Sequence, residues 1–395
     1  MKRIAAEYVF TLEPGGPLED GFVEYDDDGT VLRTGICDNV REEETFLEGA
    51  IVPGFVNTHC HLELSHLQGR FRKGTGMAGF IDQINALRDT SDREHRMECA
   101  GRWLDTMWRQ GVSAMGDISN GDESFLAKSS SPMYTRTFLE VFGSEPRDCG
   151  SVMASVRALQ EKAQGYGLDA APTPHSCYTT SPELLTASSA DALAAGFLSY
   201  HSQASPEEEQ MIGGGCGALY ENRKKYGMST PPVTGRPSLM YFIDRVGKVH
   251  PAPFHEHVLL VHEVCLTEEA ADAAMAVFRS LYVALCPMSN LFIHNMLPPV
   301  ELMRRKGMKI TLGTDSLSSN DTLDMVREMY CLQSSFPDVS LGEILTWACL
   351  NGAEFLGKDK ELGSITAGKR PGLVFIDKIS DGGRLTAESS SRRII

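Results

Sequence analysis

The sequence predicts an α/β fold, a (β/α)8 barrel carrying a small β-sandwich domain built from both chain ends. Three observations carry that expectation. Across residues 50–362, apolar β-type runs alternate with longer helix-period segments, the pattern of parallel strand-helix units. Eight such units in about 310 residues match the size of an eight-stranded barrel. Residues 1–49 and 363–395 instead hold short strand-like runs between turn signals, which suits a small β unit that both ends build together.

In order, Arg3 to Thr11, Gly21 to Asp26 and Thr30 to Gly35 read as short strands, punctuated by Pro14-Gly15-Gly16-Pro17 and Asp26-Asp27-Asp28-Gly29. A buried apolar run, Ala50 to Val56, then leads into Asn57-Thr58-His59-Cys60-His61. Helical spacing follows at Met77 to Arg88 and Arg93 to Gln110. Further strands are predicted at Val112 to Ile118, Tyr134 to Phe142, Leu168 to Thr173, Phe197 to His201, His257 to His262, Tyr282 to Cys286 and Lys309 to Thr314. Ile212 to Pro253 breaks the rhythm with Gly213-Gly214-Gly215 and Pro231-Pro232, and reads as an insertion near the barrel mouth. At the far end, Gly363-Ser364-Ile365 and Gly372 to Asp377 bracket a turn at Gly368-Lys369.

Composition narrows the function. With 42% hydrophobic and 23% charged residues, the 395-residue chain has the balance of a soluble enzyme. Lys+Arg 37 against Asp+Glu 53 leaves a net charge of -16, which disfavours nucleic acid and anionic membranes as partners. Ten cysteines without a CxxC pair read as free thiols in a reducing compartment, and no signal peptide or membrane-length apolar run is evident. The expected location is cytoplasmic, the expected partner is a small molecule, and a homodimer is the candidate assembly.

The candidate chemistry lies at the strand ends. On an extended strand residues i and i+2 share a face, so His59 and His61 project together and can begin a metal site. Later predicted strands also end in metal-competent residues: His175, His201, His262 and Asp315. In such barrels the carboxyl ends of the strands face one shared site. Other features have plainer readings. Glu207 to Glu209 follow Ser205-Pro206 as the acidic first turn of a helix; Phe80, Ile81, Ile84 and Leu87 read as a core-facing stripe; Glu63 reads as a loop salt bridge; and His66, His95, His250, His255, His257 and His294 are expected at surface or loop positions.

FVNTHCHLELSH, SYHSQASPEEE, LLVHEVCLTEE, CPMSNL and TLGTDSLSSN occur in that order. Together they resemble the amidohydrolase superfamily, within it the chlorohydrolase and purine-type aminohydrolase group that includes S-adenosylhomocysteine and aminofutalosine deaminases. The resemblance spans nearly the whole chain, including the closing GSITAGKRPGLVFID, where the family usually has Ala-Asp in place of Pro371-Gly372. It implies one divalent metal ion, zinc or iron, held by His59, His61, His201 and Asp315. It further implies catalytic roles for His262 and Asp315, and substrate contacts from His175 and Asn290. Binuclear relatives carry a lysine on the fourth strand, where this chain has Thr173-Pro174-His175-Ser176, which favours one ion. By the same analogy Gln83 or Arg88 would lie near a substrate wall.

The implied activity is hydrolytic deamination of an aminated nitrogen heterocycle, a purine or nucleoside derivative. Dechlorination or cyclic-amide opening uses the same site with another leaving group. One position departs from the family. Three residues after the fifth-strand histidine, related chains carry a glutamate as general acid/base; here His201-Ser202-Gln203 is followed by Ala204. General acid/base catalysis contributes ~10²–10⁴-fold, so the expected product of this chain is a weakened or inactive enzyme. Ala204 reads either as a glutamate-to-alanine change introduced to hold substrate without turnover, or as a native departure marking a non-catalytic metal- and ligand-binding protein.

Overall fold

The structure, a computed structural model, describes residues 1–40, 45–380 and 382–395. The chain begins with β1 (Lys2–Val9), β2 (Leu18–Tyr25), β3 (Val31–Ile36) and β4 (Phe46–Pro53). Eight parallel strands follow: β5 (Phe55–Cys60), β6 (Val112–Ser119), β7 (Tyr134–Val141), β8 (Asp169–Pro174), β9 (Phe197–Ser202), β10 (Phe254–His262), β11 (Phe278–Leu285) and β12 (Lys309–Leu312). The chain closes with β13 (Leu373–Ile376) and β14 (Ser391–Arg393).

Both chain ends build one six-stranded sheet in the order β14-β13-β4-β1-β2-β3. Alternation along β1 separates its two faces. Ile4 and Ala6 pack with Val23, Ile51, Ile365 and Leu373, whereas Ala5 faces Phe22 and Cys37. A register shift between Ala6 and Tyr8 lets Val9 rejoin the first face.

The run Ala50 to Val56, read from the sequence as one strand, is two. Its first part is the end of β4, paired with β1 and β13, and its second is the start of β5, paired with β6. The expected boundary at residue 49 therefore cuts a strand of the terminal sheet, since Phe46–Pro53 belongs to it as a whole. Gly54 makes the switch. Its N–H donates to the Gly372 carbonyl at 3.1 Å, and a Cβ here would stand 2.0 Å from Ser113 Oγ and 2.5 Å from the Pro371 carbonyl. Gly372 is in the left-handed region at φ 73°, which accounts for glycine where the family usually has a larger residue.

The parallel strands form two four-stranded sheets, β5-β6-β7-β8 and β9-β10-β11-β12. Hydrogen bonds join their edges on both sides. His201 N–H donates to the His175 carbonyl at 2.9 Å, while Thr314 and Asp315 N–H both donate to the His59 carbonyl at 3.0 Å. β5 and β6 are buried at every residue, as expected of parallel strands covered on both faces. Side chains of β5, β6, β7, β10 and β11 gather around Phe355 in one cluster, including Val56, Ala114, Phe138, Leu259 and Tyr282. Between strands run α1 (Gly76–Leu87), α2 (Arg93–Arg109) and α3 (Phe125–Ser130). The insertion holds helices Ala218–Lys225 and Ser238–Val246, and Asn222 reaches Asp82 of α1 at 3.1 Å. All ten cysteines are free, six of them buried. Among the described residues no helix is long and apolar enough to cross a membrane.

Candidate metal centre and active-site cavity

The carboxyl ends of β5, β9, β10 and β12 bring His59, His61, His201, His262 and Asp315 together. Their donor atoms form overlapping triads, His59 with His61 and Asp315, and His59 with His201 and His262, each within 4.8 Å. His59 and His61 Nε2 are 3.2 Å apart, and Asp315 Oδ1 lies 3.5 Å from His61 and 3.8 Å from His59. Donors placed tetrahedrally at ~2.0–2.1 Å from one ion stand about 3.3 Å apart, so this spacing fits a divalent cation. Asp315 Oδ2 accepts from Ser289 Oγ at 2.5 Å and Ser319 Oγ at 2.9 Å, which leaves Oδ1 to the histidines.

Backbone shape aims these groups. His262 and Asp315 have φ of 80° and 55°, left-handed values that non-glycine residues hold only where the surroundings compel them. For Asp315 the compulsion is visible in its N–H bond to the His59 carbonyl, which ties the last ligand to the first. Burial, reinforced by neighbouring imidazoles, drives His59 and His201 well below the ordinary histidine pKa; burial also lowers His61 and His262. Neutral imidazoles are the form that ligates metal.

Beside these residues opens a cavity of about 180 Å³. His61, His175, His201, His262 and Asp315 form its floor, and Met77, Phe80, Ile81 and Ile84 of α1 form an apolar wall. The stripe read as core is shared: Met77 is in the main core with Phe80 and Ile81 packed against it, yet these three and Ile84 also line the cavity, while Leu87 does not. Arg88 lines it too, whereas Gln83 turns away to accept from Arg72 N–H at 2.8 Å. His175 stacks on His201 with ring centroids 4.4 Å apart, its Nδ1 engaged by Ser176 and Thr179 hydroxyls at 2.8 Å each. Burial lowers its pKa to about 3. Asn290 is not among the lining residues. It is buried behind His262, with Oδ1 3.4 Å from His262 Nδ1, and so positions that ring.

Ala204 is buried and does not line the cavity. Around it the acidic triplet is more engaged than a solvated first turn. Glu208 is fully buried, and its carboxylate accepts from Gln203 N–H at 3.1 Å and Ala204 N–H at 2.9 Å, while Ser205 Oγ caps Glu208 N–H. Burial pushes Glu208 up to about 7. Glu207 crosses to accept from Ala78 N–H at 2.7 Å, fixing the start of α1. Glu63 accepts from Asn120 and Gly121 N–H at 2.9 and 3.1 Å, so backbone capping rather than a salt bridge is its main contact; Arg88 stays 3.9 Å away. His66, expected at the surface, is buried between the Glu63 and Arg88 carbonyls at 3.1 and 3.0 Å.

Two buried groups near the site escaped the sequence reading. Glu140, near the end of β7, places Oε1 3.4 Å from His201 Nδ1 and 3.9 Å from His175 Nε2, and burial raises its pKa to about 8. The available signal was a single acid inside the apolar run Phe138-Leu139-Glu140-Val141, since an unpaired charge seldom sits in a buried strand without a purpose. Below it, Lys128 of α3 and Asp117 of β6 form a fully buried pair at 2.7 Å, and Asp117 Oδ1 accepts from Leu62 N–H, next to His61, at 2.9 Å.

Parallel strands ending in a neutral-imidazole and carboxylate cluster, beside a cavity with one apolar wall, define a metal-competent hydrolase. More specifically, the chain belongs to the amidohydrolase family, whose model matches residues 50–391. It is 26% identical over 345 residues to a 5-methylthioadenosine/S-adenosylhomocysteine deaminase of Halalkalibacterium halodurans, covering 83% of this chain and 72% of that one. Its fold is similar to that of Helicobacter pylori aminofutalosine deaminase in complex with methylthio-coformycin, with a TM-score of 0.77, 21% identity, and 98% and 94% of the two chains covered. It is also similar to the zinc complex of atrazine chlorohydrolase from Arthrobacter aurescens, with a TM-score of 0.71, 18% identity, and 98% and 90% covered.

Proposed function

We propose that this chain is a hydrolytic aminohydrolase framework for an aminated nitrogen heterocycle, of purine or nucleoside type, whose turnover is cut by Ala204. The observation that supports it most is the convergence of His59, His61, His201 and Asp315 at distances that suit one divalent ion, zinc or iron, beside the cavity. In this reading the eight parallel strands close as a (β/α)8 barrel, and the terminal sheet, including Phe46–Pro53, is the small β-sandwich domain. When bound, the ion would activate a water for attack on the amino-bearing carbon.

The chain's own groups supply the rest. His262, its Nδ1–H taken by Asn290 Oδ1, stands beside the attacking water and the oxygen that gains charge, and turns its other ring nitrogen to them as a proton acceptor. Asp315, its Oδ2 fixed by two serines, accepts the proton of the attacking water. The α1 wall and His175 cover the two sides of a flat ring and exclude water from it. No side chain at position 204 can carry a proton to the ring nitrogen and on to the leaving ammonia, because an alanine methyl neither binds nor releases one. That absence also favours a second reading, a protein that binds metal and heterocycle without turnover.

Ala204→Glu protein loaded with zinc or iron, screened against aminated heterocycles with ammonia as readout, tests the proposal. Ammonia release well above that of the parent protein is expected. Substrate binding with no gain in turnover on any ring supports the binding reading instead, and release of chloride or a ring-opened acid without ammonia would overturn deamination.

A further inference from the structure

Arg88 is the only lysine or arginine among the residues that line the cavity, and no step of the proposed hydrolysis uses it. Its backbone is held on both sides. The N–H donates to the Ile84 carbonyl at 3.0 Å, and the carbonyl lies 3.0 Å from Nε2 of the buried His66. The side chain, by contrast, is 28% exposed, and its guanidinium finds no hydrogen-bond acceptor among the described residues. Its one ion-pair partner there, Glu63 Oε1, stands off at 3.9 Å, while the other oxygen of Glu63 is occupied by Asn120 and Gly121 N–H. Ile84 and Phe142 are apolar neighbours in the same lining, with the Phe142 ring centroid 6.0 Å from the guanidinium carbon.

A guanidinium presents a rigid planar fork of donors that matches a carboxylate two bonds at a time, and the pair is stronger where water is partly excluded. We infer that Arg88 recognises a carboxylate that the substrate carries on a short arm from its heterocycle. This rests on the reading of the cavity as an aminohydrolase site and narrows its substrate class. The arm is short because Arg88 approaches Glu63, which lies two residues past His61, so the positive charge sits close to the cavity floor. A single negative charge suits the place better than a phosphate dianion, since Glu63 beside the guanidinium and Glu140 in the same lining would repel a second one.

A panel of aminopurines, each with an acetate arm at one ring position and each paired with its uncharged amide, supplies the test by calorimetry on the zinc-loaded full chain. At least one acid is expected to bind ~10-fold or more tightly than its amide, the gain of a charge-assisted hydrogen bond, with the preference shrinking as salt rises. Arg88→Met should erase that preference while zinc content stays at the parent level. Arg88→Lys keeps the charge without the fork and should retain only part of the preference; it carries the test if Arg88→Met does not fold by circular dichroism. Acid and amide binding equally throughout the panel overturns the inference while leaving the heterocycle site intact. A parent-like preference in Arg88→Met, or in Arg88→Lys, also overturns it, by giving the carboxylate to the bound zinc instead. Binding of no panel member by the parent would overturn the reading of the cavity as an aminopurine site, and the inference with it.

Discussion

Replacing Lys128 with methionine removes the cation of a pair that lies wholly inside the protein. Lys128 Nζ donates to Asp117 Oδ2 at 2.7 Å, Thr137 Oγ1 at 2.9 Å and Ser119 Oγ at 3.2 Å, and both charged side chains have no solvent exposure. Methionine fills a similar volume, so little cavity term is added and the main loss is electrostatic. Breaking a buried pair from one side costs ~3–5 kcal/mol, because the remaining charge is left uncompensated. Urea unfolding followed by circular dichroism should therefore show a midpoint lower by on the order of 1 M, given slopes of ~3 kcal/mol per molar or more for a chain of this size. Asp117→Asn combined with Lys128→Met removes both charges and keeps an oxygen for Leu62 N–H, so it should recover most of the loss. A single-variant loss below ~1 kcal/mol, or no recovery in the double variant, would refute the reasoning.

Three further outcomes follow from the same geometry. His59→Asn should lose bound metal as measured by elemental analysis; full retention would contradict its place in the cage. Because burial lowers the pKa of His59, His61 and His201, their neutral form persists below the ordinary histidine range, so metal should stay bound as pH falls from 8 to 6, and a loss centred near the usual ~6.5 would count against that environment. Gly54→Ala places a Cβ 2.0 Å from Ser113 Oγ and 2.5 Å from the Pro371 carbonyl, and should cost ~1–3 kcal/mol in a thermal melt, with an unchanged melt as the contrary result.

What could be read in advance followed from short-range rules. The spacing of His59 and His61 needs only the two-residue period of a strand, and His201, His262 and Asp315 were visible as polar residues closing apolar runs. Glu140 was not, because it sits within such a run instead of after it, and only the pleat of β7 and its neighbours reveals that its carboxyl turns inward. The α1 stripe was legible only in part for a related reason, since its core-packed residues also line the cavity. Periodicity says which face of a helix is apolar, but whether that face meets core or cavity depends on the distance to the next element. The role of Asn290 likewise needed its burial behind His262, and the break at Gly54 needed the approach of Ser113 and Pro371, 59 and 317 residues further on.

Only Gly54 separates the middle of the terminal sheet from the strand that bears His59 and leads into His61. From the other end of the chain, Arg393 of β14 reaches the carbonyls of Trp108 and Val112 at 2.8 and 2.9 Å and Ser113 Oγ at 3.1 Å, gripping the start of β6 beside that same crossing. The two termini thus work as a buckle on the metal-bearing strand. Trimming or fusing the C-terminus is a perturbation of the centre, transmitted from β14 through β13 and β4 to β5. Metal content is therefore a more direct gauge of an altered terminus than overall helix content.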